Sequence, residues 1–126
     1  MKKIAFIAFA SMFFAFTMPN LPQIVKALNS GDADALSAFF DNKVEISILE
    51  KEGVFNKAAA TDILRNFFKT HRTGSFTMIH RGSSKGKDSK YIIGNLAKGN
   101  TTYRVYVFIK IQEKRSVIQE LRIEEE

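Results

Sequence analysis

Apolar and polar residues alternate along most of the second half of the sequence, and this pattern constrains the fold more than any other feature. It is strongest over residues 102–111, where every second side chain is apolar. Strict alternation is typical of a β-strand with one buried face and one exposed face. The pattern recurs, separated by short polar turns, at residues 75–81, 90–97 and 116–124. These four segments predict strands that pair antiparallel with their chain neighbours.

Three amphipathic helices are predicted in the first half of the sequence. The longest spans about residues 57–70 and follows Asn56, a residue type that often caps helices. Its apolar residues share one wide face. Two shorter helices begin near Leu21 and after Asp32. Because a sheet with one apolar face needs cover, we expect the helices to pack against that face.

One further strand precedes the longest helix. Residues 44–48 alternate, and residues 54–55 are expected to pair back as a short hairpin arm. The predicted fold class is therefore α+β, with the elements in the order ααβαββββ. We expect a curved antiparallel sheet wrapped around three helices.

Residues 1–17 have the pattern of a secretory signal peptide. Lys2 and Lys3 precede a run of 13 residues that is apolar except for Ser11. Such a run matches a signal peptide and is shorter than the ~20 residues that span a bilayer. We expect export to the periplasm or the medium, cleavage before Met18, and a single domain at residues 18–126 without a membrane span. A buried N-terminal helix and an uncleaved anchor are the alternatives.

Composition bounds how the exported domain is held together and what it binds. The chain has no cysteine, and removal of two lysines with residues 1–17 lowers its formal net charge from +6 to +4. Its core alone must stabilise it, and we expect no disulfide, cofactor or metal, since His71 and His80 are the only histidines. Among the basic residues between positions 69 and 90 the only Phe, Tyr or Trp is Phe76, too few aromatic side chains for a base-stacking surface, so nucleic acid is not an expected partner.

Several short motifs extend over nearly the whole predicted domain. They are 31–33 (GDA), 39–49 (FFDNKVEISIL), the helix from Lys57, 80–84 (HRGSS), 91–94 (YIIG), 103–106 (YRVY) and 121–124 (LRIE). With the order of elements, they resemble the nuclear transport factor 2-like superfamily, also called cystatin-like, and within it an exported bacterial domain family of unknown function. The resemblance implies a cone-shaped fold that binds ligands between the concave sheet face and the helices. It implies no activity, because the superfamily includes enzymes and non-catalytic modules.

Three residues are candidates for lining such a pocket. Met78, His80 and Tyr103 share the phase of the apolar residues on their strands, so we expect them to face the helices. No carboxylate appears in that phase on the predicted strands. Glu45 is out of phase, and Asp62 lies on the polar side of its helix. Proton-transfer enzymes of the steroid-isomerase type require an inward carboxylate base.

Two functions therefore stay open from the sequence. The favoured one is an exported, non-catalytic module that holds a small apolar ligand or a protein partner. The alternative is a small isomerase, dehydratase or hydrolase that uses His80 with Tyr103.

Four residues are candidates for an interface. Ile79, Arg104, Tyr106 and Phe108 alternate outward, so two aromatic rings and an isoleucine would lie on the face opposite the helices. Apolar patches of this kind often mark interfaces, and we expect a homodimer through this face. The alternative is that the C-terminal tail or a loop of the same chain covers the patch.

Overall fold

A computed structural model describes residues 18–72, 74–84 and 86–126 of the chain. The predicted signal peptide, residues 1–17, lies outside the described residues. No helix in the described ranges is both long enough and apolar enough to cross a membrane.

Two of the three helices in the described ranges begin at a side chain that caps the first turn, whereas Asn20, before the first helix, makes no capping hydrogen bond through its side chain. Helix α1 spans Leu21–Ser30, α2 spans Ala33–Ser37 and α3 spans Lys57–Thr70. The side chains of Asp32 and Asn56 each accept a hydrogen bond from the backbone N–H three residues further on, at 3.0 and 2.8 Å. These bonds satisfy donors that the first turn of a helix leaves unpaired, and therefore fix where α2 and α3 begin.

One mixed sheet contains the strands. They are β1 (Phe40–Ile48), β2 (Lys51–Asn56), β3 (Phe76–Ser83), β4 (Ser89–Lys98), β5 (Thr101–Gln112) and β6 (Arg115–Glu125). Their order across the sheet is β2-β1-β6-β5-β4-β3. The four late strands pair antiparallel with their chain neighbours, as predicted.

Two details of the sheet differ from the prediction. The expected short arm at residues 54–55 is part of the six-residue strand β2, so the element order is ααββαββββ. In addition, β1 and β6 pair parallel, which makes the sheet mixed rather than wholly antiparallel. Parallel neighbours require a long connection, and the chain between these two strands contains α3 and four other strands.

A single core lies between the helices and the concave face of the sheet. On β5, the inward residues Val105, Val107 and Ile109 are at most 3% exposed. They belong to one cluster with Leu28 of α1 and Leu64 of α3, both fully buried. Each such side chain contributes about 1.5–3 kcal/mol when fully buried, so alternation along β5 fixes which face of the sheet the helices cover.

The turn between β5 and β6 contains two residues in the left-handed region. Glu113 and Lys114 have φ angles of 50° and 64°. A two-residue hairpin loop with both φ angles positive favours Asn-Gly, because a Cβ in this region meets the neighbouring carbonyl oxygen.

We expect Lys114→Gly to raise the free energy of unfolding by about 0.5–1 kcal/mol. Glycine relieves the strain of the left-handed backbone at this position, and this gain exceeds the cost of the extra conformational entropy that glycine gives the unfolded chain. Thermal denaturation should show a higher melting temperature. As a control, Gln112→Gly, within the neighbouring strand, should lower it. An unchanged or lower melting temperature for Lys114→Gly would contradict the explanation.

Candidate ligand-binding groove

An open groove of about 880 Å³ lies at one end of the concave face. The C-terminal half of α3 forms one wall, and the hairpin turn between β1 and β2, residues 48–51, forms another. Tyr103 from β5 and Glu125 from β6 complete it. The volume falls within the range of about 300–1,000 Å³ typical of small-molecule sites.

Three aromatic rings form a cluster at this groove. Phe67 and His71 stack, with ring centroids 4.8 Å apart and planes 16° apart. Tyr103 meets both edge-on, with its centroid 5.4 Å from Phe67 and 5.8 Å from His71. Offset-stacked and edge-to-face contacts are the favoured geometries between aromatic rings, so the three rings pack as one cluster, in which Phe67 and Tyr103 are 2% and 4% exposed.

Hydrogen bonds at the end of α3 determine how His71 presents its ring. Its Nδ1 lies 2.8 Å from Thr70 Oγ1 and 3.3 Å from the Phe67 carbonyl oxygen. The Thr70 hydroxyl donates its proton to the Asn66 carbonyl at 2.8 Å, so towards His71 it acts as an acceptor. A carbonyl oxygen also only accepts. Nδ1 therefore carries the proton, and Nε2 of the neutral ring is left as an acceptor.

The groove is lined by more negative than positive side chains. Glu50, Asp62 and Glu125 contribute carboxylates, and Lys51 contributes one ammonium group. Asp62 also accepts a hydrogen bond from Arg65 at 2.7 Å, one turn along α3. The groove thus combines an aromatic surface with an acidic margin.

Glu125 is a groove residue that the sequence analysis missed. It pairs directly with Tyr103 across β5 and β6, so both side chains lie on the concave face. The alternation of Leu121 and Ile123 continues to position 125, but the predicted strand ended at residue 124. The expectation that no carboxylate lies on the helix-facing side of the strands is therefore wrong. The continued alternation to Glu125 was the sequence signal that could have shown this.

His71 was also missed as a groove residue. From the sequence, His71 entered only the expectation that the domain binds no metal. Its position directly after the apolar face of α3 was the available signal, because Phe67 and His71 are four residues apart and therefore neighbours on one helix face. In the described part of the chain, no group of three or more His, Asp or Glu side chains is placed to hold a metal ion.

The structure places the three predicted pocket residues in different environments. Tyr103 lines the groove and is 4% exposed. Met78 lies on the same sheet face as Gly94, its partner on β4, but it is 36% exposed on the edge strand β3. Among the described residues, neither Met78 nor His80 lines this groove.

The expectation that His80 faces the helices is wrong. The pairing of β3 with β4 shifts between Met78 and His80, so that Ile79 is an extra residue. Such a bulge reverses the alternation beyond it. His80 therefore pairs with Ile93, which pairs with Tyr106, and lies on the outer face of the sheet. Tyr103 lies on the concave face, so the two residues are not brought together.

The four predicted interface residues lie on the outer face, the sheet surface opposite the helices. Ile79 is 42% exposed, and Arg104, Tyr106 and Phe108 are half-buried. Arg104 donates to Asn95 Oδ1 at 2.8 Å and also pairs with Glu126. Asn95 and Glu126 thus cover part of Arg104, while Tyr106 and Phe108 stay partly accessible.

A carboxylate pair lies beside the outer aromatic residues. Glu120 pairs with Phe108 on one side and with Glu45 on the other. Partial burial, followed by the neighbouring charge and hydrogen bond of Glu45, raises the pKa of Glu120 above its ordinary value, while Arg122 opposes the shift. Arg122 also lies 6.0 Å from the centre of the Tyr106 ring.

One known family model matches almost all of the described chain. The family model described as "Domain of unknown function (DUF4783)" matches residues 21–124. A solved structure of a DUF4783 family protein from Bacteroides uniformis is 27% identical and has a TM-score of 0.76; the match covers 84% of this chain and 96% of that one. A second, from Bacteroides ovatus, is 27% identical over 82% of this chain and 93% of its own, with a TM-score of 0.75.

More distant structures show the fold alone. An NTF-2 like protein of unknown function from Silicibacter pomeroyi is 10% identical, with a TM-score of 0.56 over 100% of this chain and 99% of that chain. These matches confirm the predicted nuclear transport factor 2-like fold. No curated protein matches the chain.

Proposed function

Because this chain belongs to the DUF4783 family, a domain family of unknown function, we propose its function from the groove: it is an exported, non-catalytic module that binds a small ligand with an apolar body. The observation that carries the proposal is an open groove of about 880 Å³ beside the aromatic rings of Phe67, His71 and Tyr103. Sites for small ligands combine such apolar surface with a few polar groups. The export component rests on the signal-peptide pattern of residues 1–17.

Leu49 supports the same site. It lines the groove, is 38% exposed and has a φ angle of 54°. It is the first residue of a two-residue hairpin loop, and the corresponding position between β4 and β5 is occupied by Gly99, with a φ angle of 55°. A leucine in the left-handed region costs about 1–2 kcal/mol relative to ordinary geometry. Strained residues of this kind cluster at ligand sites, which favours a binding role for the Leu49 side chain.

A non-catalytic role is favoured over the enzyme alternative. That alternative required His80 to act with Tyr103, and these residues lie on opposite faces of the sheet. The groove instead offers an aromatic surface, carboxylates and an imidazole held by Thr70. Binding accounts for these features without a reaction.

The proposal predicts that Leu49→Gly weakens ligand binding without destabilising the fold. The change removes the apolar side chain from the groove margin and relieves the backbone. The neutral fluorescent probe N-phenyl-1-naphthylamine should bind the wild-type protein and bind Leu49→Gly about fivefold to tenfold more weakly, as expected for the loss of part of one buried leucine. The melting temperature should stay equal or rise.

Lys114→Gly is the matched control, because it gives the same backbone relief in a turn that does not line the groove. It should leave probe affinity unchanged. If the probe does not bind the wild-type protein, or binds both variants equally well, the groove is not the site.

We also propose that a second copy of the chain covers the outer face. Tyr106 and Phe108 are accessible there, and the outer-face side chains around them carry both charges: Arg104 pairs across the sheet with Glu124, and Phe108 with Glu120. A two-fold interface brings the same patch from each copy together, so positive groups of one copy can oppose negative groups of the other.

A further inference from the structure

We propose that the groove selects ligands that carry a protonated amine on their apolar body. This inference rests on the groove being the binding site proposed above. It names the chemical class of the ligand, which is set by the hydrogen-bonding groups and the charges that the groove presents.

The first observation is the charge of the groove. Glu50 and Glu125 line it, and within residues 18–72, 74–84 and 86–126 neither takes part in an ion pair. The carboxylate of Asp62 is shared with Arg65, and Lys51 is the only lysine or arginine among the described lining residues. The whole sequence has a formal net charge of +6. An acidic groove in a basic protein attracts cations locally, and it would repel a carboxylate or phosphate ligand.

The second observation is the hydroxyl group of Tyr103. The residue is 4% exposed and lines the groove, and its hydroxyl makes no hydrogen bond to any other described residue. No side-chain oxygen or nitrogen in the described part is both fully buried and unpaired. Because Tyr103 lines the groove, a ligand there can complete the hydrogen bonding of this hydroxyl.

The third observation is that hydrogen-bond acceptors predominate. The carboxylates of Glu50 and Glu125 accept, Nε2 of His71 accepts when the ring is uncharged, and the Tyr103 oxygen can accept a further bond. The complement is a group rich in N–H donors. An ammonium group supplies up to three donors together with positive charge.

Three probes of similar size separate charge from apolar contact. These are 2-phenylethylamine, which is protonated at pH 7, the neutral 2-phenylethanol and the anionic 3-phenylpropionate. We expect NMR titrations of the whole chain at low salt to show the amine binding about tenfold more tightly than the alcohol, and the propionate binding most weakly. Raising the salt concentration should weaken amine binding and leave alcohol binding unchanged.

A pair of variants on one strand tests the assignment. Glu125→Gln should weaken amine binding about threefold to fivefold and leave alcohol binding unchanged, since it removes a charge beside Tyr103 and keeps the shape. Glu124→Gln makes the same chemical change on the outer face, where residue 124 pairs with Arg104, and should have no effect.

The outcomes distinguish this inference from the proposed function. If amine and alcohol bind equally well and Glu125→Gln changes neither affinity, the amine preference is wrong and the groove remains a binding site. Tighter binding of the propionate would also overturn the preference. If none of the three probes binds, the amine preference and the groove proposal both fail.

Discussion

Replacing Gly94 with alanine is expected to lower the free energy of unfolding by about 3 kcal/mol, at the upper end of the usual cost of overpacking a core. Gly94 is buried on β4 between Ile92 and Leu96, and its φ angle is not positive. Space, rather than backbone conformation, therefore requires glycine. A Cβ at this position would overlap the ring of Phe76 and lie 2.5 Å from the carbonyl oxygen of Thr77.

The size of the effect follows from which atoms would have to move. The Phe76 ring is 7% exposed and packs in the core, and the Thr77 oxygen belongs to the backbone of β3, which pairs with β4. Neither the ring nor the carbonyl oxygen can move away without disrupting core packing or the hydrogen bonds between β3 and β4. Thermal and denaturant unfolding should show a fall in melting temperature of about 10–15 °C.

Gly99→Ala is the matched control. Gly99 has a φ angle of 55°, and an added Cβ would meet nothing within 4 Å. Only the strain of placing alanine in the left-handed region then lowers the free energy of unfolding, by about 1–2 kcal/mol. Adding Phe76→Leu should reduce the cost of Gly94→Ala, because the two side chains compete for one space. If Gly94→Ala costs no more than Gly99→Ala, Gly94 is not required for close packing.

Replacing Phe108 with lysine is expected to convert a dimer into a monomer. In a two-fold interface each substitution acts twice, and each lost phenylalanine removes about 1.5–3 kcal/mol of burial, so dissociation should become at least about a hundredfold easier. Lysine suits the isolated chain, because position 108 pairs with Glu120 on the outer face. Analytical ultracentrifugation at tens of micromolar, with circular dichroism to verify folding, measures the change.

Thr102→Lys provides the control, since it adds the same charge to the same face of β5, away from the aromatic pair. It should leave the wild-type dimer intact. A monomeric wild-type protein would refute the dimer. Unfolding of Phe108→Lys would show instead that the residue stabilises the single chain.

Local sequence rules determined most of the elements of this protein. Alternation along residues 102–111 predicted which side of β5 is buried, and the buried residues Val105, Val107 and Ile109 confirm it. Asn56 predicted where α3 begins, and its side chain accepts a hydrogen bond from the backbone N–H of Ala59, three residues further along the chain. These features depend on side chains and backbone close in sequence, so periodicity and capping are sufficient to predict them.

Tertiary structure decided the composition of the groove. A single extra residue, Ile79, moved His80 to the outer face, and no local pattern marks where a bulge interrupts a ladder. The parallel placement of β6 beside β1 brought the end of β6, with Glu125, close to the β1–β2 turn. Pairing between distant segments depends on register across the whole sheet and on where the helices pack. The sequence alone therefore predicted Tyr103 as a pocket residue, and only the assembled sheet placed Glu125 and His71 beside it.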